Sequence, residues 1–250
     1  AYQTSAESVS LANVSFSDVE FAYLPLSTSQ YFLVSDELIF DGVIGHDVLH
    51  HFSWVFDKKA NQISISKNPY ELTGQEISIP FDVSLSKLTI DSEIDFGQGQ
   101  KINRELVIDT GSRHYLKVNA AFLKENNIKL PETQITAADF GLSGQSIHPR
   151  VTLPNLKLAG LSLPNVKTNV IGNSDDDEDD YWIVGSALLN QSISVVDYHS
   201  SVLHLIPYQG STFKSLYNLL GLELRKLKTG NFIVRYVFPQ MATSTLDFKK

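Results

Sequence analysis

Apolar and polar residues alternate along most of this chain with the period of two that is typical of half-buried β-strands. The alternation covers residues 8–25, 77–83, 87–96 and 151–166, and turn-forming residues such as Gly97 to Gln100 separate the runs. Within 8–25 we expect a turn near Ser17-Asp18. Short helices are predicted only at 47–52, 119–128 and 212–219. The pattern therefore predicts an all-β fold.

One stretch departs from alternation. Glu105 is followed by the apolar run Leu106-Val107-Ile108 and then by Asp109-Thr110-Gly111-Ser112. An uninterrupted apolar run predicts a buried strand, and its end would hold Asp109 in a fixed place. Gly111 lets the backbone turn where a Cβ atom would obstruct it. An Asp-Thr-Gly triplet alone is a weak motif, since a strand that ends in a turn explains it equally well.

A repeat gives the triplet its context. The apolar-apolar-Gly sequence at 43–45 recurs at 183–185, a spacing of 140 residues. At the same spacing, further pairs match; they are Leu49 with Leu189, Val55 with Val195, Asp57 with Asp197, Ile63 with Leu203 and Ile65 with Leu205. The run 9–16 also matches 151–158 at a spacing of 142. The chain therefore contains two copies of one β-rich unit.

We divide the chain into a first unit (1–75), a second unit (76–208) and a tail (209–250). The second unit is longer at its front, and that front contains Asp109. If the spacing holds, the equivalent Asp of the first unit is expected about thirty residues before Ala1.

Composition narrows the function classes. Of the 250 residues, 42% are hydrophobic and 19% are charged, which is typical of a packed globular protein. The acidic run 175–180 supplies most of the net charge of −8 and predicts a solvated loop between strands. No basic stripe suggests a nucleic-acid partner. No cysteine is present, so thiol catalysis and disulfides are excluded. No apolar run approaches the roughly 20 residues of a membrane span.

The order of these motifs resembles a known family. An Asp-Thr-Gly after an apolar strand, followed about 75 residues later by apolar-apolar-Gly and a short helix, is similar to one lobe of the retropepsin-like and pepsin-like aspartic peptidases. The second unit has the full lobe pattern, whereas the first has only the later half, 43–49. The combination of the two units resembles bacterial two-lobed aspartyl peptidases, over roughly residues 8–207. The resemblance implies a two-lobed acid-protease-like β-barrel fold with an incomplete first lobe.

The resemblance also implies a chemistry. In the family, two facing Asp carboxylates share one proton and activate a water that attacks a peptide bond. Here Asp109 would be one of the two, Thr110 would brace the opposite lobe, Gly111 would let the loop pass closely, and Ser112 would support the carboxylate. The partner would be a peptide or protein substrate, and neither a cofactor nor a metal is expected. The following Arg113-His114 is less usual and would add positive charge.

The sequence contains one Asp-Thr-Gly, and one carboxylate cannot form a dyad. Three explanations stay open. The first motif belongs to a segment outside this sequence, which we favour; or two chains each supply Asp109 across a two-fold axis; or the protein binds peptides without cleaving them.

Two further patterns each allow two interpretations. Residues 220–238 in the tail resemble the opening of a PDZ domain, which binds a peptide C-terminus by strand addition, and an ordinary hairpin explains them equally well. His46 and His50 have the i, i+4 spacing of zinc sites, but an exposed helix face is the favoured interpretation. The remaining histidines form no triad pattern. A periplasmic or other extracytoplasmic location follows from the resemblance alone.

Overall fold

The computed structural model describes residues 2–11, 14–23, 42–141, 144–172 and 182–245. The first unit contains β1 (Tyr2–Leu11), β2 (Val14–Tyr23), α1 (His46–Leu49), β3 (Ser53–Asp57) and β4 (Gln62–Ser66). The second unit begins with β5 (Ile77–Pro80), β6 (Asp82–Ser84), β7 (Lys87–Gly97), β8 (Gln100–Asp109), β9 (Leu116–Asn119) and α2 (Ala120–Glu125). It continues with β10 (Gln134–Gly141), β11 (Gly144–Leu158), β12 (Leu161–Ile171), β13 (Ile183–Gly185), α3 (Ser186–Leu189), β14 (Ser192–Asp197) and β15 (Val202–Pro207). The tail contains β16 (Leu222–Lys226), β17 (Phe232–Val237) and a 3-10 helix at Ala242–Thr245.

The all-β prediction is confirmed, since each α-helix in the described residues has six residues or fewer. None of these helices has the length and hydropathy required to span a bilayer.

Six strands of the second unit close into a barrel. Their order is β7, β8, β13, β9, β12 and β11, and β11 pairs again with β7 to complete the circle. β6 and β10 extend the sheet beyond the barrel, on β7 and β11 respectively. Because β11 pairs with β7 as well as with β12, the six strands form a closed, rigid frame around the end of β8.

Alternating side chains fill the barrel. On β7, Leu88, Ile90, Ile94 and Phe96 are buried and alternate with more exposed residues. They belong to one continuous apolar core with residues of β8, β11, β12 and β13. At about 25 cal/mol per Å² of apolar surface removed from water, this core is the main source of stability of the frame.

A five-stranded sheet joins the two units, in the order β4, β3, β14, β15, β5. At its centre β3 runs antiparallel to β14, with Val55 opposite Val195. These two residues are themselves equivalent in the 140-residue repeat. The pairs on either side are Trp54 with Val196 and Phe56 with Ser194. In the repeat, Trp54 is equivalent to Ser194 and Phe56 to Val196, so each of these pairs is the equivalent of the other. The register therefore has the local two-fold symmetry expected when two copies of one unit face each other.

The spacing of 140 also relates the hairpins and short helices of the first unit to those of the second. The hairpin β3–β4 pairs Asp57 with Gln62, and the hairpin β14–β15 pairs Asp197 with Val202. The helices α1 and α3 begin after Gly45 and Gly185 respectively. The structure thus places equivalent residues of the repeat in equivalent elements.

The spacing of 142 does not extend to the hairpin turns. The turn between β11 and β12 lies at 159–160, which predicts a turn at 17–18, but β2 runs through these residues and pairs with β1 up to Leu11 opposite Val14. The turn prediction near Ser17-Asp18 is therefore wrong. Asp18 keeps a positive φ of 54°, but the register is the same on both sides of it, with Val19 opposite Ala6 and Ser17 opposite Ser8, so the strand continues where a turn was expected.

The predicted helix at 212–219 is also wrong. Its backbone groups bond to other elements rather than to each other. The amide of Leu216 donates to the hydroxyl of Tyr115 at 3.0 Å, and the carbonyl of Leu216 accepts from Lys167 Nζ at 2.5 Å. Residues 211–218 therefore run without regular secondary structure along β12 before the hairpin β16–β17 begins.

Candidate active site

The predicted catalytic residue, Asp109, is the last residue of β8. The two core positions before it, Leu106 and Ile108, are buried, whereas Asp109 is half-buried and the following Thr110 is exposed. The buried part of the strand thus fixes the position of Asp109 at the end of β8. The apolar run predicts this arrangement.

Backbone amides hold the Asp109 carboxylate. Oδ1 accepts a hydrogen bond from the amide of Gly111 at 2.9 Å and from the amide of Ser112 at 3.0 Å. The Ser112 hydroxyl is directed elsewhere, since it accepts from the amide of His114 at 3.4 Å. Support by Ser112 therefore comes from its main chain. Two donors on one oxygen fix the orientation of the carboxylate.

The loop 110–114 rests on Gly185. β13 runs parallel to β8 and places Gly185 beside Asp109. A Cβ atom on Gly185 would lie 2.6 Å from the carbonyl oxygen of His114 and 2.7 Å from that of Ser112. The amide and the hydroxyl of Ser186 both donate to the Ser112 carbonyl, at 2.7 and 2.6 Å. Only glycine fits at position 185, and this contact sets the path of the loop.

The equivalent position in the first unit is open. A Cβ atom on Gly45 would approach only the side chain of Asp47, with Oδ1 at 2.8 Å. The apolar pair before it is exposed, Val43 by 77% and Ile44 by 47%, whereas Val184 at the equivalent of Ile44 is fully buried. Among the described residues, no loop covers the apolar-apolar-Gly motif of the first unit in the way that 110–114 covers that of the second.

Thr110 faces the first unit. It lines a cavity of about 40 Å³ together with Leu49 and Trp54 of the first unit and Val196 and Tyr198 of the second. Trp54 Nε1 donates to the Leu49 carbonyl at 2.8 Å, which fixes this wall. Thr110, directly after Asp109, thus lies at the junction of the two units.

A cluster of polar side chains lies on the other side of the loop. His148 Nε2 lies 3.0 Å from Asp139 Oδ2, and Arg150 lies 3.5 Å from Asp139 Oδ1. His114, from the loop itself, and Asn169 complete the group, which we call the Asp139 cluster (His114, Asp139, His148, Arg150 and Asn169). Apart from Asp139, whose side chain is 29% exposed, its members are largely removed from solvent.

Burial dominates the electrostatics of this cluster. It lowers the pKa of His114 to about 4, with Asp139 opposing the change and His148, Lys117 and Arg150 adding to it. Burial alone would raise the pKa of Asp139, but the hydrogen bond from His148 and the charges of His114, His148 and Arg150 hold it well below its usual range. At neutral pH the cluster therefore contains an ionised Asp139 and a neutral His114.

The sequence did not predict this cluster. Its members are spread over 55 residues and come from one loop and three strands, so no spacing brings them together. One signal was present: His148 and Arg150 are two residues apart on β11 and therefore lie on the same face of that strand.

The histidines of α1 are close to each other. The rings of His46 and His50 lie 5.3 Å apart, and Tyr198 Oη lies 3.4 Å from His46 Nδ1. No group of three or more His, Asp or Glu side chains in the described ranges is arranged to hold a metal ion. The acidic run 175–180 lies outside the described residues.

Grooves elsewhere contain none of the predicted site residues. One, of about 530 Å³, lies over β7 and β8 and includes Asp91 and Arg104. Another, of about 340 Å³, is largely apolar and lies between β12 and β15. Neither groove therefore helps to define the predicted site, which we describe by the loop 110–114 and its hydrogen bonds.

No model of a known protein family matches the sequence, and no functionally curated protein matches it. Solved structures that resemble the chain include a retropepsin-like aspartic protease from Rickettsia conorii, which is 20% identical over 52% of this chain and 89% of that protein, with a TM-score of 0.37. An aspartic proteinase from Irpex lacteus is 16% identical over 63% of this chain and 56% of that protein, with a TM-score of 0.39. At these values the likeness does not assign a function, which has to rest on the geometry of the site.

Proposed function

We propose that this protein is an aspartic endopeptidase and that Asp109 supplies one carboxylate of its dyad. The observation that carries the proposal is the position of Asp109 at the end of a barrel strand, with Oδ1 held by two amides and with Thr110 facing the other unit of a two-fold repeat. We infer that the partner carboxylate lies on the other side of this junction.

The second carboxylate comes from a loop that covers Gly45. The loop after Asp109 packs against Gly185, at the place where a Cβ atom would lie. Within the described part of the chain, no backbone atom occupies the equivalent place at Gly45. The exposed Val43 and Ile44 would be buried by a strand like β8. Because the sequence has one Asp-Thr-Gly, this loop belongs to another polypeptide segment. The first unit (1–75) is thus the later half of one lobe, and the second unit (76–208) is the other lobe.

A symmetric homodimer is a poorer candidate for the dyad. In such a dimer, β14 of one chain would face β14 of the other. Here β3 already occupies that face, with Val55 opposite Val195, and the side chain of Ser53 donates to Asp197 at 2.6 Å. Two Asp109 residues could meet only after the first unit had been displaced.

The reaction follows from two carboxylates that share one proton. The ionised carboxylate takes a proton from water as the water oxygen attacks the peptide carbonyl carbon, and the protonated one donates to the carbonyl oxygen. The C–N bond of the tetrahedral intermediate then breaks: the leaving amine takes the proton that the first carboxylate accepted from water, and a hydroxyl of the intermediate returns a proton to the other carboxylate. Thr110 would brace the opposite loop, and the amides of Gly111 and Ser112 would keep Asp109 oriented.

The test is peptide cleavage by the protein with its native flanking sequence. Asp109→Asn should lower kcat/KM by about a thousandfold or more, because a neutral amide cannot accept the proton of water. The matched control is Asp91→Asn, an exposed carboxylate on β7 that should leave cleavage unchanged. Equal activity of D109N and the wild type would reject the assignment. Peptide binding without cleavage by the wild type would favour a binding module instead.

A further inference from the structure

The Asp139 cluster connects the loop after Asp109 to the hairpin β10–β11. His114 comes from the loop, Asp139 from β10, His148 and Arg150 from β11, and Asn169 from β12. Charged groups that are removed from water destabilise a fold unless they are paired and hydrogen-bonded. The pairing within this cluster therefore decides how firmly the loop is held.

The orientation of Asn169 follows from its neighbours. Its Oδ1 accepts from Arg150 Nε at 3.0 Å, so its Nδ2 is the group directed at the Asp139 carboxylate and at His114. Nδ2 lies 3.0 Å from His114 Nδ1. An amide NH₂ can only donate, and His114 Nδ1 therefore accepts. The imidazole is then neutral and carries its proton on Nε2.

The main chain of His114 continues this arrangement into the catalytic loop. Its amide donates to the Ser112 hydroxyl, and its carbonyl lies against Gly185. The amides of Gly111 and Ser112 donate to Asp109 Oδ1. A displacement of the His114 side chain would therefore be transmitted within three residues to the donors that orient the Asp109 carboxylate.

We propose that Asp139 is a positioning residue: with Asn169 it holds the neutral His114 imidazole and so fixes the loop whose amides orient Asp109. Asp139 does not touch the reacting atoms. The proposal rests on the proposed function only for its effect on peptide cleavage, because the effect on the loop exists whether or not the protein is a peptidase.

The geometry also makes the loop sensitive to protonation of His114. Nδ1 lies 3.0 Å from a donor, Asn169 Nδ2, and 3.6 Å from an acceptor, Asp139 Oδ2. A proton on Nδ1 would repel the Asn169 amide and turn the ring toward Asp139. The titratable and charged groups around the pair are Lys117 on β9, His148 and Arg150 on β11, Lys167 on β12 and Glu223 on β16.

The first test is an NMR titration of the wild-type protein. Long-range ¹H–¹⁵N spectra should show the Nε2–H tautomer of His114 at pH 7. On acidification, the amide resonances of Gly111 and Ser112 should move with the same midpoint as the His114 ring. If the ring is in the Nδ1–H tautomer, or if it titrates while both amide resonances stay in place, the proposal is wrong.

The second test compares Asp139→Asn with the control Asp91→Asn. Loss of the carboxylate should speed hydrogen exchange at the amides of Gly111 and Ser112 by about tenfold or more, because the loop opens more often. In the active protein, kcat should fall by about ten- to a hundredfold with little change in KM, since misplacement affects the reacting geometry. D91N should change neither quantity.

The outcomes of the two experiments separate the proposals. A wild-type protein that cleaves nothing while D139N speeds exchange would contradict the peptidase function and support the positioning role. Cleavage that depends on Asp109, with exchange and kcat unaffected by D139N, would support the peptidase and overturn the positioning role. If D139N fails to fold, the wild-type titration still decides.

Discussion

At the scale of single residues, Asp109 and His114 lie at the two ends of one loop and are held in different ways. Asp109 is oriented by the amides of Gly111 and Ser112, which the turn itself provides. His114 is oriented by side chains from β10 and β12. The first arrangement is local: the apolar run predicted that Asp109 ends a buried strand, although not that main-chain amides would hold its carboxylate. The second depends on the closure of the barrel, which no local pattern reveals.

His114 should make the protein less stable in acid. Burial lowers its pKa to about 4 from the ordinary value of 6.5, so the unfolded chain binds a proton that the folded chain does not between these pH values. Stability should therefore fall as the pH is lowered from 6.5 to 4, by up to about 3 kcal/mol from this residue.

Urea unfolding of the wild type and of His114→Gln between pH 7 and pH 4 measures this effect. H114Q lacks the titrating group, so its free energy of unfolding should decrease less over the same range. His46 and His204, whose pKa values burial also lowers, contribute equally to both proteins and cancel in the comparison. Parallel curves for the two proteins would show that His114 does not titrate in this way.

At the scale of elements, the repeat predicted more than the local patterns did. The residues that match at a spacing of 140 lie in two equivalent hairpins and two equivalent short helices, because each copy has to bury the same apolar positions. The helix prediction at 212–219 failed because this segment bonds to another unit. Residues 212–219 bond to β12 and to Tyr115, and this partner cannot be seen in the helical pattern of the segment itself.

The two glycines before α1 and α3 should respond differently to substitution. Gly185→Ala places a methyl group against two backbone carbonyls that cannot move without the loop, so we expect a loss of about 1–3 kcal/mol. Gly45→Ala meets only the end of the Asp47 side chain, which can rotate away, and the 250-residue chain should lose much less stability.

Chemical denaturation of both variants of the 250-residue chain provides the measurement. In the protein with its native flanking sequence, G45A should in addition lower peptide cleavage, because the methyl group would meet the second loop. Equal destabilisation by the two substitutions in the 250-residue chain would mean that the two positions have similar surroundings, contrary to the structure.

At the scale of the whole molecule, the two units face each other through the sheet β3–β14, and Thr110 lies at their junction. The sequence predicted two copies of one unit. It could not predict that β3 would pair with β14. β14 could pair either within one chain or with a second chain, and the relative free energies of these two arrangements cannot be read from the repeat.

The absence of cysteine from the sequence makes a simple test of the homodimer practicable. In a symmetric dimer with two Asp109 residues, the two Thr110 residues would also be close, and Thr110→Cys would form an intermolecular disulfide rapidly. We expect T110C to cross-link no faster than Leu85→Cys, a control at a residue that is 84% exposed. Non-reducing electrophoresis under mild oxidation gives the rates, and much faster cross-linking of T110C would support the homodimer.

The central claim is that Asp109 is one half of a carboxylate dyad whose other half rests on Gly45. The most direct measurement is a crystal structure of the protein with its native flanking sequence and a statine-type inhibitor. We predict that a second Asp carboxylate lies within hydrogen-bonding distance of the same inhibitor hydroxyl as Asp109, on a loop that passes over Gly45. An Asp109 without a facing carboxylate, or an uncovered Gly45 in that structure, would contradict the account.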